Sequence, residues 1–402
     1  MATDSTGRRD YPTNSSRIIQ NVLPKIILTE ADLVDASFLA FTNKLNSTPT
    51  RQEKFVWDVD QFLTPTDTVN GAVASTTQTT FVVDNISRFI PNMLIRNRTT
   101  SEMMHVTGVD TATSTLTVIR GVTALGSEGG SAAVNIGDAD NIDILSSALG
   151  ENSSRQITHT TTPAEVYNYA QIFRKELALS DRQIKREFET GDELPYQQIK
   201  AMKEFKMQMS RALLFGERGR TTVDGDNTTY TEGIYNVPST ASYGAGGTLF
   251  ENLWNTWLVD EGMRRGSRNK VAFCSSTALR GLLEIVQSKA TFNIPLDSGG
   301  VKWGAEVVEY TAPTGGKIAL IEDRSLTVHA QGSLVLVDLK HVKKRPFTNN
   351  GRSGDVQLFL GTEDTDDIGE TSTLYADMGL EYGDEAVHGI VTGITGGAKG
   401  TS

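Results

Sequence analysis

The longest regular pattern of apolar and polar residues predicts an amphipathic helix near the middle of the chain. Residues 196–215 contain no proline or glycine and are rich in good helix formers. Apolar side chains recur there at spacings of three and four, which places them on one helical face. Asp192 is a candidate N-cap and Gly216 a candidate stop, so the pattern predicts a helix over 192–216. The predicted apolar face contains Met202, Phe205, Met209 and Ala212.

A different pattern precedes this helix, with short runs of residues that are typical of β-strands. Turn-forming residues separate the runs, which follow one another at spacings of about ten residues. Short strands at such spacings predict a small antiparallel sandwich or barrel, placed at about residues 75–145. The predicted strands are 81–83, 93–95, 103–109 and 115–119.

The remainder of the chain predicts a mixture of helices and strands, which gives an α+β fold class. Residues 166–179 are predicted to be extended, 180–188 to form a short helix, and 221–247 to be rich in loops. Helices are predicted at 248–264 and 276–286. The glycine-rich tail, residues 393–402, is predicted to be frayed. Further strands are predicted at 270–274, 307–310, 317–322, 334–339, 356–360 and 371–382.

The first fifty residues resemble an extended arm rather than a domain. One helix is predicted at 30–45, with Thr29 as a candidate N-cap, and polar segments flank it. A single helix has too little apolar surface to form its own core, so we expect the arm to lie on another surface. The residues predicted on one face of that helix are Leu33, Ser37, Ala40 and Phe41.

Composition narrows the possible functions. The chain has 402 residues, enough for two or three compact units, and its 38% hydrophobic and 22% charged residues are typical of folded proteins. A net charge of -11 argues against DNA binding as the main function, because phosphate binding needs a basic surface. No apolar run reaches the roughly 20 residues of a membrane span, and the N-terminus lacks the pattern of a secretory signal. Two local basic clusters are Arg8, Arg9 and Arg17, and Lys340, Lys343, Lys344 and Arg345.

The sequence predicts no catalytic, cofactor-binding or metal-binding residues. Common hydrolase, nucleotide-binding and zinc motifs are absent. The single cysteine, Cys274, follows an apolar run and is predicted to be a small buried residue. The acidic segments 224–227 and 363–367 are expected to be solvated loops, with ion binding as the alternative. The histidines show no metal-ligand spacing, and they are His105, His159, His329, His341 and His388.

Several segments, taken in order, resemble the major capsid proteins of tailed bacteriophages with the HK97-like fold. They begin with VYNYAQIFRK at 166–175 and ALLFG at 212–216, the end of the predicted helix. The strand GSLVLVD at 332–338, a turn KRPF at 344–347 and EAVHGI at 385–390 follow. The β-rich runs at 81–84, 94–96 and 116–121 also fit the family.

This resemblance implies a division of the chain into the parts of that fold. Residues 1–50 would be the N-arm, and residues 51–165 an E-loop enlarged by an inserted antiparallel β domain. A P-domain with a long spine helix at 192–216 would occupy 166–237. The A-domain would follow at 238–345, and residues 346–402 would supply further P-domain strands and the C-terminal tail.

The resemblance also implies self-assembly rather than catalysis. Copies of the chain would form the hexamers and pentamers of an icosahedral head that encloses double-stranded DNA, which they contact weakly at the inner face. A separate scaffolding protein, a portal and a decoration protein are the expected partners, without a membrane. The protein would be made in the host cytoplasm and reside in the virion.

Other classes of protein remain open at this point. An encapsulin-like compartment shares the fold and encloses cargo enzymes instead of DNA. A hydrolase or lyase with a β accessory domain would require acidic residues to converge in one pocket. A β-rich phage adhesin is disfavoured by the long amphipathic helix and the α/β pattern.

Overall fold

The chain divides into two compact units, one of which is inserted in the other. The computed structural model describes residue 38 and residues 47–122, 132–151, 160–187, 192–287, 309–349, 352–363 and 369–400. The larger unit comprises Met1–Trp57 and Val166–Ser402, and the smaller unit comprises Asp58–Glu165. The β insertion expected at 75–145 therefore lies within the smaller unit. Among the described helices, none combines the length and hydropathy that a membrane crossing requires.

The smaller unit is a closed β-barrel, which decides between the two predicted alternatives of a sandwich and a barrel. Six antiparallel strands close it in the order β2 (Thr66–Asn70), β3 (Thr80–Val83), β6 (Thr115–Ile119), β5 (Met103–Asp110), β4 (Met93–Asn97) and β7 (Asn141–Ser147). Burial alternates along the strands, so that Phe81 and Val83 face the core while Thr80 and Val82 face solvent. Strand β1 (Lys54–Val59) leads into the unit.

The larger unit contains two sheets and the helices that pack on them. Its strands begin with β8, which pairs with β1. In chain order the elements are β8 (Ala164–Tyr169), β9 (Gln171–Ser180), α1 (Asp181–Ile184), α2 (Glu193–Phe215), β10 (Gly219–Val223), β11 (Asp226–Tyr230), β12 (Ser242–Phe250), α3 (Glu251–Trp257), β13 (Asn269–Cys274), α4 (Ser276–Gln287), β14 (Glu309–Thr311), β15 (Lys317–Glu322), α5 (Arg324–His329), β16 (Leu334–Val337), β17 (Lys343–Pro346), β18 (Gln357–Glu363), β19 (Gly369–Glu381) and β20 (Gly389–Ala398).

The first sheet has six strands in the order β12-β20-β16-β13-β15-β14. It is mixed, because β12 is parallel to β20 and β13 to β15, whereas the other pairs are antiparallel. All four residues of β16 are buried, as expected for a strand inside a sheet covered on both faces. The C-terminal segment contributes β20 to this sheet.

The second sheet carries the long helix α2. In this sheet β19 pairs with β9 along one side and with β17 and β18 along the other. Helix α2 begins after Asp192, as predicted, but the Asp192 side chain makes no capping hydrogen bond. Its buried face also differs slightly from the predicted one, since Met202 and Ala212 are only partly buried. The buried apolar residues of α2 are Ala201, Phe205, Met209, Leu213 and Leu214.

Three segments with a predicted irregular structure are strands. Residues 221–247, predicted to be loops, include the β10-β11 hairpin and most of β12. The predicted turn at 344–347 belongs mainly to β17, which pairs with β19. The tail predicted to be frayed continues β20 as far as Ala398. For β12, β17 and β20, pairing with a distant strand outweighs the local preference of glycine or proline for turns, whereas β10 and β11 pair with each other across a tight turn.

Two predicted helices are shorter than expected. The helix predicted at 248–264 is α3 followed by a π-helical turn at Leu258–Gly262, because residues 248–250 complete β12. The helix predicted at 180–188 ends at Ile184 as α1. The helix predicted at 30–45 lies outside the described residues except for Phe38.

Candidate functional site

The residues considered for chemistry do not converge on a common pocket. Cys274 is fully buried in β13, and burial raises the pKa of its thiol well above the ordinary value. The thiol donates only to the carbonyl oxygen of Ala272, at 3.6 Å. Cys274 is therefore a packing residue, as its apolar surroundings in the sequence predicted. No group of metal-ligating side chains occurs among the described residues.

The predicted acidic loop at 224–227 is the tip of a β-hairpin. Val223 pairs with Asp226, so Asp224 and Gly225 form a two-residue connection. Both have positive φ, 53° and 91°, as a type I′ turn requires. The Asp-Gly pair is explained by this backbone geometry, without a bound ion. In the second acidic segment, residues 364–367 lie outside the described residues.

Carboxylates pair with three of the four cations in the basic cluster around β17. Lys343 Nζ lies 3.0 Å from Glu381 Oε1, and Arg345 pairs with the other oxygen of the same carboxylate. Lys344 forms an ion pair with Asp355. Two carboxylates therefore pair with three of the cations and tie β17 to its neighbours, while Lys340 is exposed. The other cluster, Arg8, Arg9 and Arg17, lies outside the described residues.

One histidine belongs to a buried polar network that the sequence did not indicate. His388 is fully buried, and its Nε2–H donates to the Tyr382 carbonyl at 2.8 Å while Nδ1 accepts from the Asp338 amide at 3.2 Å. Lys270 Nζ donates to the carbonyl oxygens of Val387, at 2.6 Å, and Gly262, at 2.8 Å. Burial lowers the pKa of Lys270 to about 8 and that of His388 to about 4. The network joins the segments before β13 and β20 and after β16.

Phe38, in the segment predicted to be an arm, is buried in the core of the larger unit. Its ring is 1% exposed and meets Phe273 edge-on, with ring centroids 5.2 Å apart. The Phe38 amide donates to Asp323 Oδ2 at 3.3 Å. Asp323 also caps α5 through the amides of Ser325 and Leu326. Phe38 is not among the residues predicted on the apolar face of the helix at 30–45. Helical spacing alone does not show which side chain packs against a residue as distant in the chain as Phe273.

Asn168 joins β8 to β19 and to the segment that follows β11. It is fully buried, and its Nδ2 donates to the Leu380 carbonyl at 2.8 Å while Oδ1 accepts from the Glu232 amide at 2.9 Å. Gly216 permits the close approach after α2, since a Cβ there would overlap the Thr231 and Ala212 carbonyl oxygens. Asn168 and Gly216 therefore both lie against the segment at residues 231–232.

A groove lies on the face of the second sheet opposite α2. Its volume is about 1110 Å³. Asp377 at its floor is only 8% exposed, and burial raises the pKa of its carboxyl to about 6 despite a hydrogen bond from Tyr375. The lining combines three aromatic rings with polar side chains: Phe347, Asn349, Arg352, Ser353, Gln357, Phe359, Tyr375 and Asp377.

Comparison with known proteins identifies the family. The model of the SU10 major capsid protein family matches residues 13–395. No curated protein matches the sequence. Among solved structures, the SrpI encapsulin of the holo complex from Synechococcus elongatus PCC 7942 is 8% identical, with 99% of each chain covered and a TM-score of 0.46. A chain from Mycobacterium phage Bobi is 10% identical, with 98% of this chain and 100% of that chain covered and a TM-score of 0.46.

The family match spans the larger unit, the inserted barrel and most of the arm. The chain belongs to the SU10 major capsid protein family, and it is a structural protein of a phage capsid rather than an enzyme.

Proposed function

We propose that copies of this chain form the hexamers and pentamers of an icosahedral head that encloses double-stranded DNA. The family match over residues 13–395 carries this proposal. Two different surfaces of neighbouring copies would meet in each contact, because such heterologous contacts close into rings. Interfaces of permanent assemblies of this kind commonly bury more than about 2,000 Å². The protein would be made in the host cytoplasm and assembled there.

The parts of the HK97-like fold are proposed to follow the predicted division. Residues 1–50 are the N-arm, 51–165 the E-loop with its barrel, 166–237 and 346–402 the P-domain, and 238–345 the A-domain. Helix α2 fits the spine helix, since its 23 residues span about 34 Å at 1.5 Å per residue. Strand β20 pairs with A-domain strands, so the C-terminal segment would connect both domains.

The arm is proposed to lie partly on its own subunit and partly on a neighbour. Phe38 supports the first half, because it is buried in the core of the larger unit. Deletion of residues 1–28 would test the second half, since it retains Phe38 and the predicted arm helix. We expect folded subunits that assemble in lower yield, measured by sedimentation velocity. Normal yield and normal shell stability would contradict a role of residues 1–28 in joining subunits.

Weak contact with DNA is proposed for one face of α2. Lys200, Lys206 and Arg211 are exposed and Lys203 is half-buried, and no carboxylate lies within ion-pair distance of these side chains among the described residues. Helical spacing puts much of this charge along one side of α2. Because each phosphate contact releases counterions, binding would weaken steeply with salt.

A charge-removal variant tests the DNA contact. Replacing Lys200, Lys206 and Arg211 with glutamine should reduce the slope of DNA affinity against salt by about three phosphate contacts. A matched variant, Lys317→Gln with Arg280→Gln and Lys185→Gln, removes three exposed cations that are already paired with carboxylates. Equal slopes for both variants would show that α2 does not contact DNA. Shells filled with protein cargo instead of DNA would favour the encapsulin-like alternative.

Three kinds of partner complete the proposal. A separate scaffolding protein would set the size of the shell, and a portal would replace one pentamer. The barrel of the smaller unit is a candidate anchor for a decoration protein, because it is an independent compact unit with its own core. Co-purification of the head with these proteins, and loss of the decoration protein when the barrel surface is altered, would test the assignments.

A further inference from the structure

An exposed aromatic side chain marks the segment between β1 and β2. Phe62 is 100% exposed and the adjacent Leu63 is 42% exposed. A fully exposed phenylalanine leaves most of its apolar surface in water, which is unfavourable for a subunit that remains alone. Two exposed carboxylates, Asp58 and Asp60, precede the pair. We refer to residues 58–63 as the Phe62 segment.

The groove on the second sheet has the complementary character. Phe359, on β18, is 52% exposed although it faces the groove, and Phe347 and Tyr375 provide further ring surface. A volume of about 1110 Å³ exceeds what single side chains need and is at the upper end for pockets that hold drug-sized ligands. The groove therefore has room for an aromatic residue and an aliphatic neighbour.

Charge on the two surfaces is also complementary. Arg352 lines the groove and is exposed, and no carboxylate lies within 4.0 Å of its guanidinium among the described residues. Asp58 is exposed and, within the described part of the chain, has no cation at that distance. The Phe62 segment thus carries a carboxylate near its aromatic ring, and the aromatic-lined groove carries an exposed guanidinium at its side. Such pairing favours one register over others.

We propose that Phe62 and Leu63 of one copy of this chain insert into the groove of a second copy, with Asp58 facing Arg352. This inference rests on the proposed assembly of copies into rings, and it identifies the side chains of one contact. The two surfaces are different, so the contact is heterologous, and repeating it around a ring uses every segment and every groove. An aromatic residue in a pocket with a charged pair at its side is typical of the residues that dominate binding energy.

A cysteine pair tests the contact directly. Phe62→Cys and Phe359→Cys, combined in one chain, should form disulfides between copies when assembled particles are oxidised, giving a ladder of covalent oligomers on non-reducing gels. Each single variant should give no ladder. The native Cys274 adds no background, because it is fully buried.

The outcomes separate this contact from the proposed assembly itself. Shells that form without a ladder would overturn the contact and leave the assembly intact. Monomers that lose both introduced thiols without a ladder would have formed the disulfide within one chain. That result would also overturn the proposed contact between copies. A covalent link from the groove cysteine to a different protein would assign the groove to that protein. Absence of any assembly by the wild-type chain would overturn the proposed function instead.

A charge exchange provides a second measurement on folded protein. Arg352→Glu or Asp58→Arg should each raise the concentration needed for assembly by about tenfold, and the double variant should restore most of the loss. Phe62→Asp should have a similar effect, whereas Val328→Asp, at a side chain 71% exposed on α5, is the matched control. Equal effects of the two single aspartate variants, or no rescue in the charge-exchanged pair, would contradict the proposal.

Discussion

At the scale of single residues, His388 shows how the fold fixes a titratable group without using it for catalysis. Both ring nitrogens have backbone partners, which selects the neutral tautomer with the proton on Nε2. Burial is the main reason that its pKa falls to about 4, and the nearby Lys270 lowers it further, while Asp338 acts in the opposite direction. The ring therefore serves as a neutral link between three backbone segments.

The depressed pKa predicts loss of stability in acid. The unfolded chain takes up a proton at about pH 6.5 and the folded chain only near pH 4, so the contribution of His388 is complete above pH 6.5 and is lost as the pH falls toward 4. The loss should reach about 3 kcal/mol of unfolding free energy. His388→Gln should flatten this dependence in urea unfolding of dissociated subunits.

The pH dependence that Asp377 contributes to stability has the opposite sign to that of His388, so the experiment must separate the two. Its pKa is raised to about 6, so its contribution is present below about pH 3.8 and is lost as the pH rises through 6. Comparing wild type with His388→Gln cancels that contribution. A wild-type slope retained in His388→Gln would contradict the assignment.

The burial of Phe38 predicts that part of the proposed arm contributes to the stability of the single subunit. Phe38→Ala removes a ring buried against Phe273 and should cost about 3–5 kcal/mol of unfolding free energy. Phe62→Ala removes the same group from an exposed position and should change the stability of dissociated subunits by less than about 0.5 kcal/mol. Similar denaturation midpoints for the two variants would show that Phe38 does not anchor the arm.

Residue-level predictions from the sequence succeeded where the neighbours along the chain decide the environment. Cys274 was predicted to be buried because an apolar strand precedes it. Phe38, Lys270 and His388 were not singled out, because their partners are between 6 and 285 residues away in the chain. A lysine or a histidine in a sequence normally indicates a solvated side chain. Only the folded structure shows which carbonyl oxygens accept its hydrogen bonds.

At the scale of elements, two glycines explain how α4 lies against β20. A Cβ at Gly397 would overlap the Gly281 carbonyl oxygen, and a Cβ at Gly281 would lie 3.0 Å from Ile394 Cγ2. The helix and the strand therefore approach at positions without side chains. The glycine-rich tail was predicted to be frayed because glycine is usually unfavourable in strands, but here the absence of a side chain is what permits the packing.

This packing predicts different costs for two glycine substitutions in the same sheet. Gly397→Ala should destabilise the subunit by about 1–3 kcal/mol, because β20 or α4 must shift. Gly244→Ala is the matched control, since no heavy atom lies within 4 Å of a Cβ built at that position of β12. Thermal unfolding of both variants measures the difference. Equal melting temperatures would show that close packing does not explain the glycine at 397.

The barrel contains a buried ion pair, and removing one of its partners should destabilise the protein more than removing both. Glu102 is fully buried and accepts from Arg120 through both carboxylate oxygens at 2.7 Å, as well as from the amides of Gly121 and Val134. Arg120→Met leaves a buried carboxylate without its cation and should cost about 3–5 kcal/mol. The double variant Arg120→Met with Glu102→Leu should cost less. A double variant that is less stable than Arg120→Met would contradict this reasoning.

Elements with strong local patterns were predictable, and those that depend on distant partners were not. The four predicted strands of the barrel correspond to β3, β4, β5 and β6, because apolar runs and turn residues mark them. Strand β2 (TDTVN) is rich in Thr, Asp and Asn, and β7 (NIDILSS) mixes its three apolar residues with Asn, Asp and Ser. They are strands because the barrel closes through them, which is a property of the folded unit.

At the scale of the whole molecule, the family match and the two compact units indicate a subunit of a protein shell. Most of the described candidate groups are buried or paired, and a fully exposed phenylalanine and an aromatic-lined groove remain as surfaces for other copies. The sequence alone predicted the class of protein, since the order of several segments resembles that of phage capsid proteins. It did not predict the groove, which combines residues from β18, β19 and the segment that precedes them.

The most direct test of the central claim is the state of assembly of the purified wild-type chain. Sedimentation velocity and electron microscopy would be recorded over rising concentration, for the chain alone and co-expressed with the head proteins of its phage. We predict rings of five and six copies and closed icosahedral shells. A chain that remains a 43.7 kDa monomer under all of these conditions would contradict the claim that its function is to build a capsid.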